Sequence, residues 1–347
     1  MTDAWTLGLR IGRGAALKAL GLVVLAVFAL ILPVIAPDPA TTNIAVFTVM
    51  YVGLATAWNI MGGYTGYISL GHAAFFGIGA YAFGLLVIHL NITPGYAPFL
   101  LVPVAGVLTA VFAVGIGWIA LRTRAATFVI VTIAFMFIVQ LLAENLVKLT
   151  GGGAGLSVPY PHDWGGDFFN TPFYYAMLAL AVIALAASWW IRRSKFGLGL
   201  LAIRDDEDKA LAVGVPTRAF KLTAFVISAA LVGMIGAVYG YYVTYLYPQF
   251  VVDPLIGISM VLMTFLGGLG TLSGPVIGAV LLERAQLEFA YRFGASRLYL
   301  VLFSAVFLVV ILILPRGIVP SVADLVRRWR RPAASDATTP AEQRVAS

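Results

Sequence analysis

The sequence predicts an all-α polytopic membrane protein of about ten transmembrane helices, taking ~20 residues per crossing, with both chain ends in the cytoplasm. Three observations carry this. Of the 347 residues 61% are hydrophobic and 11% charged, against about a quarter charged in a soluble domain. The apolar residues form continuous runs rather than the alternation of a closed barrel. Lys and Arg gather in short segments between runs, as topology requires of loops on the cytoplasmic side.

The runs cover residues 18–36, 42–61, 67–90, 97–121, 125–147, 172–191, 219–243, 255–270, 275–291 and 298–314. Arg10, Arg13 and Lys18 precede the first, which orients the N-terminus inward. "VIAPDPA" behind it is a poor cleavage site, so this span is expected to stay attached. Arg122 and Arg124 follow the fourth run, and the segment 192–218 follows the sixth with Arg192, Arg193, Lys195, Arg204, Lys209 and Arg218. Both fall inside on the same count. The segment 148–171 falls outside, where Lys148 stands against Asp163 and Asp167.

"FLGGLGTLSGPVIGAVL" (265–281) reads as one irregular crossing or as a turn between two. A turn puts Arg327, Arg328, Arg330 and Arg331 inside, with Arg284, Arg292 and Arg297 near the outer face. The expected organisation is therefore an N-terminal segment 1–17, a membrane domain 18–315 and a tail 316–347. From about residue 332 the tail lacks apolar periodicity and reads as disordered.

Residues 62–84, "GGYTGYISLGHAAFFGIGAYAFG", combine a glycine-dense start with a membrane span. Ser69, Ala73, Gly77, Ala80 and Gly84 recur at helical spacing and predict a small-residue stripe for close helix packing. His72, Phe76, Gly79 and Phe83 fall on an adjacent face. The glycines before Ser69 suit an unwound lead-in and a hinge, which lipid does not tolerate unless protein or a water-filled path covers it. His72 reads as a pathway residue or, more plainly, as a cap on backbone carbonyls at a helix end. "MGGYTGYISLG" (61–71) also echoes "LGGLGTLSG" (266–274), either by chance or as an internal repeat.

No catalytic constellation presents itself. His72, His89 and His162 share no ligand spacing, cysteine is absent, and no metal site is expected. No phosphate-binding loop of the GxxxxGK[ST] kind occurs. Carboxylates within the runs are scarce, Glu144 being the nearest case and lying towards an outer end. The net charge of +7 sits at run ends, which excludes a nucleic-acid face.

The segment "RRSKFGLGLLAIRDDEDKALAVGVPTRAFK" (192–221) predicts a short exposed helix. Asp205 or Asp206 would cap it, acidic residues would complement its first turn, and Gly214 before Pro216 would stop it.

Five blocks in order carry a resemblance: "GYTGYISLGHAAFFGIGAYA" (63–82), "LRTRAATFVIVTIAF" (121–135), "TGGGAGLSVP" (150–159), the stretch 194–242 and "LGGLGTLSGPVIGA" (266–279). Over roughly residues 40–315 the chain resembles the permeases of branched-chain amino acid ABC importers, in their LivM-type more than their LivH-type form. The resemblance implies a non-catalytic subunit of the inner membrane, with no cofactor of its own. ATP and Mg would be bound by two partner ATPases; a LivH-type permease and a soluble solute-binding protein would complete the assembly.

It also implies an ATPase-coupling helix carried by Arg204, Asp205, Glu207, Ala210, Ala212 and Gly214, with Arg122 and Arg124 as possible further contacts. Asp208 and Lys209 depart from the family pattern, where small or apolar residues are usual. Block 150–159 is expected to cover the pathway or to touch the binding protein. Urea or short amides are the alternative cargo, and a stand-alone channel or secondary carrier the alternative class.

Overall fold

Long apolar helices dominate the computed structural model, which describes residues 27–35, 38–161, 164–165, 169–293, 305, 308 and 317–330. After α1 (27–35) come α2 (Pro39–Thr65), α3 (His72–His89), α4 (Val102–Ala120), α5 (Ala125–Asn145) and α6 (Asn170–Arg193). Two short helices, α7 (Lys195–Asp205) and α8 (Glu207–Ala212), precede α9 (Thr217–Val243). Then follow α10 (Pro254–Gly267), α11 (Gly274–Phe293) and α12 (Ile318–Arg330).

Seven helices among the described residues are long and apolar enough to cross a membrane: α2 to α6, α9, and α10 taken with the turn before it. The protein is thus a multi-pass, all-α membrane protein. The other three of the ten predicted spans stand apart on two grounds. The run 275–291 forms α11, but Glu283, Arg284, Glu288 and Arg292 set that helix apart from the seven. Most of 18–36, with Arg10, Arg13 and Lys18, and all of the run 298–314 except 305 and 308 lie outside the described residues. So do His162, Asp163, Asp167, Arg297 and the tail from 331.

Local chemistry fixes the helix ends. Asp38 accepts from Thr41 N at 3.1 Å ahead of Pro39, the residue type that suits a first helical position. Ser194 accepts from Gly197 N at 3.1 Å to start α7. Asp206 accepts from Lys209 N at 3.0 Å to start α8. The expected single helix in 192–218 is therefore two, since the Asp206 side chain caps a new helix where its extended backbone ends the old one. Gly214 stops the pair with φ +90°, as the sequence predicts.

Helix α2 lies in the middle of the bundle, packed against α6, α9, α10 and α11. The α3–α9 crossing is so close that a Cβ on Gly79 would strike the Gly233 carbonyl, and one on Gly236 the Phe76 carbonyl. Helices α10 and α11 form an antiparallel hairpin: Gly267 meets the Gly274 backbone and Gly278 the Met263 carbonyl. The 265–281 stretch is thus a turn between two helices.

Arg122, Arg124 and α7–α8 lie at one end of the bundle, the basic end. At the other end the 150–159 block is an ordered strap. It includes β1 (Leu156–Ser157), antiparallel to β2 (Tyr245–Leu246), and Leu156, Val158 and Leu246 close over Gly84.

Candidate functional site

The segment 66–71 between α2 and α3 leaves helical geometry at Gly66, whose φ of +76° favours glycine. It then climbs inward along α2. Trp58 Nε1 donates to Ser69 O at 2.7 Å, seven residues, or about 10 Å, back from the end of α2. Non-helical backbone at such depth needs polar partners from the protein. Leu70 N donates to Thr132 Oγ1 of α5 at 3.3 Å, and Tyr67 N to Thr65 Oγ1 at 3.1 Å.

His72 opens α3 fully buried. Its Nδ1 lies 2.8 Å from Ser69 Oγ and its Nε2 2.8 Å from Ser228 Oγ of α9, which donates onward to Ala57 O of α2 at 2.7 Å. Phe75 and Phe225 stand edge-on to the ring. His72 therefore ties three elements through side-chain hydroxyls instead of capping backbone carbonyls.

A charged strap joins this segment to α8. Lys221, 2% exposed at the start of α9, donates to Glu207 Oε1 at 2.5 Å and to Tyr67 Oη at 3.0 Å. The Tyr67 hydroxyl donates to the other Glu207 oxygen. The Lys221 ammonium also sits 4.2 Å from the centroid of the Tyr67 ring. Burial pushes the Tyr67 phenol above its ordinary pKa, and its bond to Glu207 adds to that. Burial works against the Glu207 carboxylate as well, but hydrogen bonds from Lys221 and Tyr67 hold it below the usual range.

The second glycine-rich break, 268–273, packs against the end of α2 that leads into the first. Asn59 accepts from Gly270 N and donates to Thr271 O, both at 2.9 Å. Arg204 at the end of α7 donates to Gly63 O at 2.8 Å while its stem lies over Gly66 and its guanidinium reaches Gly270. Arg192 at the end of α6 donates to Gly270 O.

The residues expected in the coupling helix thus divide. Glu207 and Ala210 face inward, Ala210 being 3% exposed. Asp205, Ala212 and Gly214 are exposed, as are Leu211 and Val213. Arg204 belongs to α7 and bridges the two breaks. Arg122 stacks on Trp118 and Arg124 lies in the electrostatic field of Tyr67.

The small-residue stripe also divides. Ser69 lies before the helix, Ala73 and Gly77 face the α10 side, and Gly84 faces the strap. Ala80 meets Gly240, but the tightest crossing uses Gly79, which spacing assigns to the other face. Sequence reasoning missed Asn59, Tyr67, Thr132, Lys221 and Ser228. A lysine one turn inside an apolar run was the available signal for Lys221.

Away from this site, a cleft of about 880 Å³ opens between α3, α4 and α5. Its walls, including Leu108, Phe112, Ile116, Val131 and Ile138, are almost wholly apolar.

Residues 40–313 match the family described as the permease component of branched-chain amino acid transport systems. The chain belongs to this permease family. Among curated relatives, the permease is 30% identical to the "High-affinity branched-chain amino acid transport system permease protein LivM" of Escherichia coli (strain K12), over 70% of this chain and 62% of the relative. It is 24% identical to the corresponding LivH protein of Salmonella typhimurium, over 77% of this chain and 90% of the relative. It is 27% identical to the "L-arabinose ABC transporter permease protein AraH" of Azospirillum brasilense, over 53% of this chain and 55% of the relative. The permease spans about three fifths of the length of its LivM relatives. No solved structure matches it.

Proposed function

We propose that the chain is the translocating subunit of an ATP-driven importer of branched-chain amino acids in a bacterial inner membrane. A second permease subunit, two ATP-hydrolysing subunits and a soluble binding protein complete it. The chain itself binds no nucleotide and performs no hydrolysis. Ten spans with both termini in the cytoplasm follow if 18–36, 275–291 and 298–314 also cross, and the basic end is then cytoplasmic. The membrane domain is 18–315, between an N-terminal segment 1–17 and a tail 316–347.

One observation carries the mechanism. The short helix α8, exposed on one side, is joined on the other to an unwound segment deep in the bundle through Glu207, Lys221 and Tyr67. An ATPase that docks on Leu211, Ala212 and Val213 moves α8, and the strap passes that motion to 66–71 and so to α3. Arg204 passes it to the 268–273 break. These short polar links suit transmission because they tie α7 and α8 to helices in the bundle interior. Arg122 and Arg124 flank the same surface and serve as second contacts.

The test is co-purification with the partner ATPases. Leu211→Glu with Val213→Glu is expected to abolish association while membrane insertion and the retention volume of the free permease stay unchanged. Normal association would remove α8 as the docking element. Uptake without any co-expressed ATPase would favour a channel or secondary carrier, and ligand screening of the cognate binding protein decides between branched-chain amino acids and urea or short amides.

A further inference from the structure

A buried carboxyl at the junction of α2, α10 and α11 takes no part in the site described above. Glu283 is 4% exposed and lies nine residues into α11, roughly 14 Å from its start. Its Oε2 has no hydrogen-bond partner. One turn further along α11, Gln286 Oε1 is likewise buried and unpartnered. Residues three apart share a helix face, so two acceptors lie on one face without a donor.

Among the described residues, the ionisable groups whose electrostatic influence reaches this junction are tyrosines and an aspartate. Tyr51 of α2, itself buried, lies in the electrostatic field of Glu283. Tyr239 of α9 and Asp253 at the start of α10 act on Tyr51 as well. Arg284, the next residue on α11, is exposed. A bare carboxylate in such surroundings is costly to bury. A hard divalent metal ion would demand about six oxygens, whereas a proton needs only the two that lack a partner.

We propose that Glu283 is a proton-binding site, with the proton on Oε2 and its hydrogen bond donated to Gln286 Oε1. Binding takes one proton from water and converts the carboxylate to the neutral acid. The packed junction and the proton therefore stabilise one another. Movement of the α10–α11 hairpin away from α2 admits water and releases the proton, so acid favours the closed junction and alkali the open one.

Infrared spectroscopy of the full-length protein in a maltoside detergent, which has no carbonyl of its own, tests this at neutral pH, where ionised surface carboxylates give no carboxylic C=O band. The expected result is such a band in the wild type, its loss in Glu283→Gln, and its shift to higher frequency in Gln286→Leu, where the hydrogen bond is removed. Absence of the band in the wild type at neutral pH overturns the proposal. Should Glu283→Gln fail to fold, the Gln286→Leu spectrum decides, because an unshifted band overturns the pairing. None of these readouts depends on cargo or on partner subunits.

Discussion

The two glycine-rich breaks, 66–71 and 268–273, are equal in length, lie at the same end and are bridged by Arg204, yet they are held in different ways. The second closes a hairpin whose helices approach until backbone meets backbone, at Gly267 with Gly274 and at Gly278 with Met263. That packing fixes its internal shape, and the bonds from Asn59 and Arg192 to its backbone add to it. The first climbs into the bundle, and side chains from α2, α5, α8 and α9 hold it, two of them, Glu207 and Lys221, forming a strap of ionisable groups with its own Tyr67. Such a segment can be pulled by moving α8. The difference assigns flexing to the first break and leaves the second to move only as a rigid unit with its hairpin.

The largest expected effect comes from breaking the rigid side. Gly278→Leu forces a side chain into the Met263 carbonyl and is expected to cost about 3 kcal/mol, the upper range for overpacking. It would be seen as loss of the monodisperse species on size exclusion. Lys221→Met leaves Glu207 and Tyr67 without their shared cation and is expected to cost about 2 kcal/mol, as for hydrogen bonds to charged groups. The protein should still insert, but protease should cut more readily within 206–216. Limited proteolysis against the wild type measures this.

Asn59→Ala tests whether the breaks are coupled. It leaves Gly270 N and Thr271 O unpaired and is expected to lower stability by about 1–2 kcal/mol, with hydrogen exchange rising in both breaks rather than in one. Tyr67→Phe removes one hydroxyl and keeps the ring, so a loss of about 1 kcal/mol is expected, with exchange rising in 66–71 alone.

The smallest effect is that of pH. Because the folded Glu207 carboxyl titrates below its ordinary value, its stabilisation is complete above that value. It fades as pH falls through the lower, folded value. Acid should therefore loosen 66–71 and leave 268–273 in place, and exchange rates measured across acidic pH check this.

Much of the molecule is legible in its residues. Continuous apolar runs mark the spans because backbone in lipid must bond within itself, and α2 to α6 and α9 follow those runs within a few residues. Gly66 and Gly214 mark breaks because each takes a positive φ. The cap at Asp206 was readable only as one of two aspartates, since either could have ended the preceding chain. Glu207 was legible as part of the segment but not as an inward residue, because its partners, Lys221 and Tyr67, lie 14 and 140 positions away. The stripe was misjudged at Gly79, since which helix face meets a neighbour depends on the neighbour's own glycines.

Sequence alone determined that the chain crosses a membrane repeatedly, where its helices break and which loops share an end, because each depends on local composition and on the cost of polar backbone in lipid. Only the tertiary structure decided that Arg204 bridges the two breaks, that Lys221 joins α8 to the deep segment, and that Glu283 is buried with an oxygen left unpartnered. Those pairings depend on how distant helices pack, and no local pattern in the chain encodes the distance between them.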